Sequence, residues 1–214
     1  MRTNVYVDGF NLFYGSLKGT PYKWLDLDAL CRRLLPKDEI NRIRYFTAMI
    51  SVRPGEADQS GPVRQETYLR ALSTIPHLSV HLGEFYVTRP RMALANPRPG
   101  GPRTVEVIKT EEKGSDVALA TYLMLDGCRK DCDAVVVVTN DADLREPLRL
   151  ARNELGLTTG VINPHPPHRR SRALTSSFFK QIRSSVLPQC QFPSKLVDGE
   201  GRAIRKPAEW EGRP

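Results

Sequence analysis

The stretch Ala134-Val135-Val136-Val137-Val138-Thr139-Asn140-Asp141-Ala142-Asp143 decides the fold. Its apolar part is β-branched and continuous, with no polar residue alternating into it. A strand of that kind is covered on both faces, as at the centre of a parallel sheet. It ends in a polar turn carrying two carboxylates, and a helix is expected over residues 144–155. Residues 156–162 read as the next strand. Upstream, Ser115 or Asp116 is placed to cap a helix running through residues 117–125, with Gly127 as its terminator.

Further out, the same alternation continues. Asn4-Val5-Tyr6-Val7 is a short strand ending at Asp8-Gly9. Leu25, Leu27, Leu30, Leu34 and Leu35 recur at helical spacing, and Pro36 ends that run. Residues 43–48 are a strand, 53–60 a polar loop, 62–73 a helix and 78–86 a strand. Four prolines and two glycines make residues 89–103 a surface excursion. Residues 105–109 read as a short edge strand, whose free edge would permit a homodimer. A Pro- and Arg-rich loop spans 163–172, and a short helix is expected over 173–179. Strands alternating with helices give an α/β domain with a mainly parallel central sheet. Its expected extent is residues 1–187, followed by an extended tail at 188–214.

The chain has 214 residues and a formal net charge of +8. Hydrophobic residues make up 40% and mean hydropathy is −0.41, the composition of a soluble globular chain. No apolar run approaches the roughly 20 residues of a membrane helix. The amino terminus lacks a signal-peptide core, so a cytoplasmic location is expected. The charge is uneven: residues 1–144 carry 19 basic and 18 acidic side chains, and residues 145–214 carry 13 and 6. Nearly all the excess lies in the last third, where it suits a phosphate-rich partner. The four cysteines and four histidines form no paired zinc-binding blocks and read as free side chains.

Ligands of open parallel sheets bind at the carboxyl ends of the strands. Asp8, with Asn11 three residues on, stands at one such end, and Asp141 and Asp143 at another. Asp116 opens the helix after Lys113-Gly114-Ser115. Each acid taken alone is also an ordinary turn former or helix cap. Converging, they would repel one another strongly, and a divalent cation would relieve that repulsion. All-oxygen donors suit Mg²⁺ or Mn²⁺. Such a site activates water against a phosphodiester without a protein nucleophile. Lys113, Arg145, Arg149, Arg169, Arg170 and Arg172 are the cations placed to hold a polyanion nearby. Phe10, Phe13, Tyr14 and Tyr22 belong either to the core or to a surface that stacks bases.

Three blocks also carry a family resemblance. Val5-Tyr6-Val7-Asp8-Gly9-Phe10-Asn11-Leu12, Lys113-Gly114-Ser115-Asp116-Val117-Ala118-Leu119 and Val138-Thr139-Asn140-Asp141-Ala142-Asp143-Leu144 resemble the signature blocks of NYN domains, PIN-like proteins, and look closest to the LabA-like branch. The resemblance covers residues 3–163. It implies a three-layer α/β/α sandwich of PIN-like topology and a metal-dependent ribonuclease site acting on RNA. Metal-binding acids fall at Asp8, Asp116 and Asp141, with Asp143 in support and Asn11 as a polar member. Where relatives commonly have Ser-Gly-Asp-Ser-Asp, this chain has Thr139-Asn140-Asp141-Ala142-Asp143. The acids survive that departure, which bears only on the small hydroxyl contacts. A non-catalytic RNA-binding module of the same fold is the alternative. A phosphatase using Asp8 as nucleophile ranks last, because Phe10 occupies the place of its second acid.

Overall fold

The computed structural model describes residues 1–52 and 58–211, so most of the expected 53–60 loop lies outside the described residues. In chain order the elements are β1 (Arg2–Asp8), a short helix α1 (Gly9–Leu12) continued by a wider turn at Phe13–Leu17, α2 (Leu27–Leu34), β2 (Glu39–Ala48), α3 (Gly61–Leu72) and β3 (Leu78–Thr88). A hairpin of β4 (Arg91–Ala93) and β5 (Thr104–Glu106) follows, then β6 (Lys109–Lys113), α4 (Ser115–Cys128) and β7 (Ala134–Val138). A single 3₁₀ turn at Ala142–Leu144 leads into α5 (Arg145–Asn153), β8 (Thr158–Asn163) and β9 (Phe178–Gln181). The hairpin of β10 (Lys195–Val197) and β11 (Ala203–Arg205) lies beyond.

Seven strands form the central sheet in the order β6-β3-β2-β1-β7-β8-β9. All neighbours are parallel except β6, which pairs antiparallel with β3. The chain is therefore an α/β protein with a large, mainly parallel sheet. The valine run owes its composition to this position. Successive strand residues face opposite sides, and both sides are covered. Val136 and Val138, with Val5 and Val7 of β1, pack against Leu27 and Leu30 of α2 and Ala71 and Leu72 of α3. Val135 and Val137, with Tyr6, pack against Leu119 and Leu123 of α4 and Leu148 and Ala151 of α5.

The local chemistry of the helix starts follows the sequence in part. Asp26 caps α2, its Oδ1 accepting from the backbone N–H of Asp28 at 2.9 Å and of Ala29 at 3.1 Å. At α4 the cap is Gly114, with φ 99°, a left-handed conformation that favours glycine. Ser115 and Asp116 are therefore first-turn residues, and Gly127 lies inside the helix instead of ending it.

Three expectations are corrected. The edge of the sheet is β6 at Lys109–Lys113, not residues 105–109; Thr104–Glu106 pairs with Arg91–Ala93 in the surface hairpin. Residues 173–179 form no helix, because Phe178 begins β9 and pairs with Gly160 of β8. The segment after residue 187 is not an extended tail. Cys190, Phe192, Ile204 and Trp210 are buried in the α2–α3 core.

Candidate functional site

The strand order places β2 and β3 to one side of β1, and β7, β8 and β9 to the other. The carboxyl ends of β1 and β7 thus flank the point where the order reverses, the crevice in which open α/β sheets bind ligands. Val7 lies opposite Val138 in the register, so the next residues, Asp8 and Thr139, emerge side by side. The Thr139 hydroxyl donates to Asp8 Oδ2 at 3.0 Å, and the Asn11 N–H donates to Asp8 Oδ1 at 2.9 Å. Asp8 is thereby the N-cap of α1 and a fixed member of the crevice at once. The Asp141 N–H donates to the same Thr139 oxygen at 3.1 Å. Asn11 Oδ1 accepts from the Asn140 N–H at 2.9 Å. Five residues from two neighbouring strand ends are locked into one polar network.

Asp141 caps the 3₁₀ turn, its Oδ1 accepting from the Asp143 N–H at 2.9 Å. Asp143 itself caps nothing and is exposed. Both remaining acids face the same crevice electrostatically. Burial raises Asp8, and the charges of Asp141 and Glu112 add to it. Partial desolvation, then the charges of Asp8, Asp141, Glu112 and Asp143, push Asp116 up to about 6 although its side chain meets solvent. Asp8 and Asp116 thus both feel the charge of Asp141.

Glu112 is an acid the sequence reading missed. Its oxygens accept from the Ser115 N–H at 3.1 Å and the Ser115 hydroxyl at 2.8 Å, which anchors it at the mouth of α4. Placing the edge strand four residues too early hid it. Once β6 runs over 109–113, Glu112 arrives beside the start of α4.

The donors are of the type a hard divalent cation takes. They are all oxygens, and their mutual repulsion is what a cation would relieve. Among the described residues no three His, Cys, Asp or Glu side chains form a ready-made cage. Mg²⁺ needs none, since it is usually held through one or two carboxylates with water completing the shell.

The raised pKa of Asp116 gives a stability prediction. A carboxyl raised on folding contributes stability that is complete below its unfolded value and lost as pH rises through about 6. Asp116→Asn should therefore stabilise the metal-free protein at pH 8, by about 1–2 kcal/mol after solvent screening, and give no gain at pH 3.5. Thermal melts in EDTA at the two pH values check this. An equal shift at both would show that charge is not the cause.

The predicted cations divide into two sets. Asn140 holds the arginine loop to the acidic turn: its Nδ2 donates to the Arg169 carbonyl at 2.8 Å, and its Oδ1 accepts from the Ser171 N–H at 2.7 Å. Arg169, Arg170 and Arg172 are exposed on that loop, and the Arg170 guanidinium lies 3.5 Å from the centre of the Phe179 ring. The other set is less available. Arg149 forms a two-point pair with Glu146 at 2.7 and 2.9 Å, and Lys113 stands 3.7 Å from Glu111. Arg145 is exposed at the start of α5.

Three comparisons bear on this geometry. Residues 2–183 match the family model of the NYN domain. Over a 242-residue alignment covering the whole chain, the sequence is 33% identical to the 6-hydroxy-3-succinoylpyridine 3-monooxygenase HspA of Pseudomonas putida (strain DSM 28022 / S16), of which 77% is covered. The crystal structure of a protein of unknown function from Vibrio parahaemolyticus RIMD 2210633 has the same fold, with a TM-score of 0.53 at 16% identity over 85% of this chain and 93% of that one. With its sheet order, its aspartate crevice and a family match across nearly all of the central sheet, the chain belongs to the NYN domain family of the PIN-like superfamily.

Proposed function

We propose that the protein is a metal-dependent endoribonuclease. The observation that carries this reading is the joining of Asp8 and Asp141 through one threonine hydroxyl at the switch point of the sheet, with Asp116 raised by partial burial and then by their charges. Asp8, Asp116 and Asp141 would hold Mg²⁺ or Mn²⁺, supported by Asp143. When bound, the cation supplies Lewis-acid charge stabilisation at the scissile phosphodiester and acidifies the attacking water. Asn11 and Thr139 keep Asp8 aimed into the crevice. Asn140 keeps the 169–172 loop beside it, so that Arg169, Arg170 and Arg172 bind flanking phosphates of the RNA. Arg145, Arg149 and Lys113 extend that positive rim. The same reading takes the helices on the two sheet faces as the outer layers of a three-layer PIN-like sandwich, in the LabA-like branch. It assigns the protein to the cytoplasm. A homodimer, if formed, would use the free edge of β6. Among the described residues no helix is long and apolar enough to cross a membrane.

The test is incubation of the purified protein with a mixed RNA pool and Mg²⁺ or Mn²⁺. Cleavage should be abolished by EDTA and reduced at least about 100-fold by Asp141→Asn. Undiminished cleavage by that variant would sink the site. Likeness along the whole of this chain to an enzyme named as a monooxygenase favours a second reading, oxygenation of a hydroxylated pyridine. Oxygen consumption with 6-hydroxy-3-succinoylpyridine and an added two-electron reductant such as reduced nicotinamide adenine dinucleotide, which delivers one oxygen atom to the pyridine and the other to water, together with no RNA cleavage with either metal, would select it.

A further inference from the structure

A cavity of about 340 Å³ opens between α1, the turn that follows it, β2 and α3, within the range of small-molecule sites. Phe10, Phe13, Tyr14, Tyr45 and Trp210 wall it. Phe13 and Tyr14 meet edge to face with ring centres 5.3 Å apart, while Phe10 is braced edge-on against Phe85 at 5.7 Å. At Gly9 an added Cβ would stand 2.7 Å from both the Phe46 carbonyl oxygen and the Tyr45 ring, so only glycine fits there.

Three cations line the same space, and they differ. Arg64 is committed to Asp58 and Glu209. Lys18 and Lys23 have no carboxylate partner among the described residues. Lys18 Nζ lies 4.8 Å above the Tyr14 ring, so an ammonium and an aromatic face are presented together. Apolar ring faces reward a flat, polarisable ligand. Two ammonium groups with no carboxylate partner among the described residues reward a negative charge attached to it.

We propose that this cavity binds a planar heteroaromatic ring carrying an anionic group. The ring stacks on Tyr14 and Phe10 and the anion rests on Lys18 and Lys23. A nucleotide and a free heteroaromatic acid share that chemistry. The site begins one residue from Asp8, on the β2 side of the crevice, while the arginine loop flanks the crevice on the β8 side. It stands whether or not the aspartates cleave RNA.

The experiment is calorimetric titration of the full chain, in EDTA, with uridine monophosphate, with 6-hydroxynicotinate and with neutral uridine. The variants are Tyr14→Ala and Lys18→Ala/Lys23→Ala; Tyr14 is 59% exposed, so its removal leaves the core intact. The expected result is binding of at least one anionic ligand, weakened about tenfold or more in each variant, with uridine weaker than its monophosphate. Binding of the nucleotide alone assigns a nucleotide site, and binding of the acid alone assigns a small-acid site; both uphold the inference. Failure of both anions to bind at millimolar concentration, or equal binding by wild type and variants, overturns it. Ligand bound here by a protein that cleaves no RNA would sink only the ribonuclease reading. RNA cleavage without ligand binding would sink only the cavity.

Discussion

Removing residues 188–214 should leave a chain with no cooperative thermal transition. The deleted segment supplies core, since Phe192, Ile204 and Trp210 are at most 9% exposed. All three belong to the cluster built around Trp24, which is fully buried. Trp24 packs on Phe192 with ring centres 5.8 Å apart and on Trp210 at 6.2 Å. Its indole N–H donates to the Pro193 carbonyl at 2.8 Å, and its own carbonyl accepts from the Phe192 N–H at 3.0 Å. Truncation also removes the Cys190 carbonyl that accepts from the Asp26 N–H at 2.8 Å, beside the cap of α2. Losing two buried aromatics and an isoleucine costs on the order of 8–15 kcal/mol, and the whole stability of a domain is about 5–15 kcal/mol. The measurement is a thermal melt followed by circular dichroism. A truncated chain melting cooperatively within about 3 °C of the full chain would show that the strap is dispensable. Trp210→Ala, which deletes only one of these contacts, should cost about 3–5 kcal/mol and still fold.

Why this strap could not be read in the sequence is a matter of periodicity. Residues 188–210 carry their buried side chains singly, spaced by Pro, Gly and charged residues, so no face repeats at 2 or at 3.6. Phe192 and Trp210 find their places through long-range contact with Trp24 and Tyr68. Residues 173–179 failed for a related reason. A four-residue strand with two phenylalanines offers too few positions to distinguish strand from helix, and Phe178 and Phe179 pack into opposite cores as a strand between two covered faces requires. The valine run at Ala134–Val138 gave the opposite case. Five consecutive buried residues have one comfortable environment, and it is the middle of this sheet.

The acids were legible to the extent that topology made them so. Asp8 and Asp141 end strands whose type was plain, and neighbouring parallel strands bring their ends together. Asp116 depends on where α4 starts, which the Gly114 cap set within two residues of expectation. Glu112 depends on the register of a short antiparallel edge strand in a polar sequence, where neither hydrophobic pattern nor turn chemistry marks the pairing. Asn140 looked like a turn former. Its two bonds to the 169–172 loop span about thirty residues and arise only in the folded chain.

On the other face of the sheet, Asp126→Ala should cost about 3–5 kcal/mol, the loss expected when one partner of a buried ion pair is removed. Nothing in the spacing of α4 marks Asp126, yet its side chain is 2% exposed and that of Arg44 is 10% exposed. Arg44 grips it with two bonds, Nε to Oδ2 at 2.7 Å and Nη2 to Oδ1 at 2.8 Å. The Tyr6 hydroxyl donates to Oδ2 at 3.0 Å. The guanidinium lies 4.5 Å from the centre of the Tyr122 ring, and its Nη1 stands 3.2 Å from His81 Nε2, with the His81 ring stacked on Phe46 at 4.9 Å. Burial, followed by the Arg44 charge, lowers the His81 pKa, so the ring adds no second positive charge near neutral pH. Alanine at 126 would leave a buried guanidinium without its counter-charge and a buried phenol without an acceptor. The damage should therefore be reversible by removing the orphans as well. The triple variant Tyr6→Phe/Arg44→Met/Asp126→Leu keeps the volume and deletes every unsatisfied group, and it should recover most of the loss, since apolar replacement of a buried pair is often neutral. Urea denaturation of the two variants checks both statements. If Asp126→Ala unfolds within about 1 kcal/mol of the wild type, the pair is not what ties α4 to β1 and β2. If the triple variant is no better than the single one, packing around the guanidinium matters more than its charge.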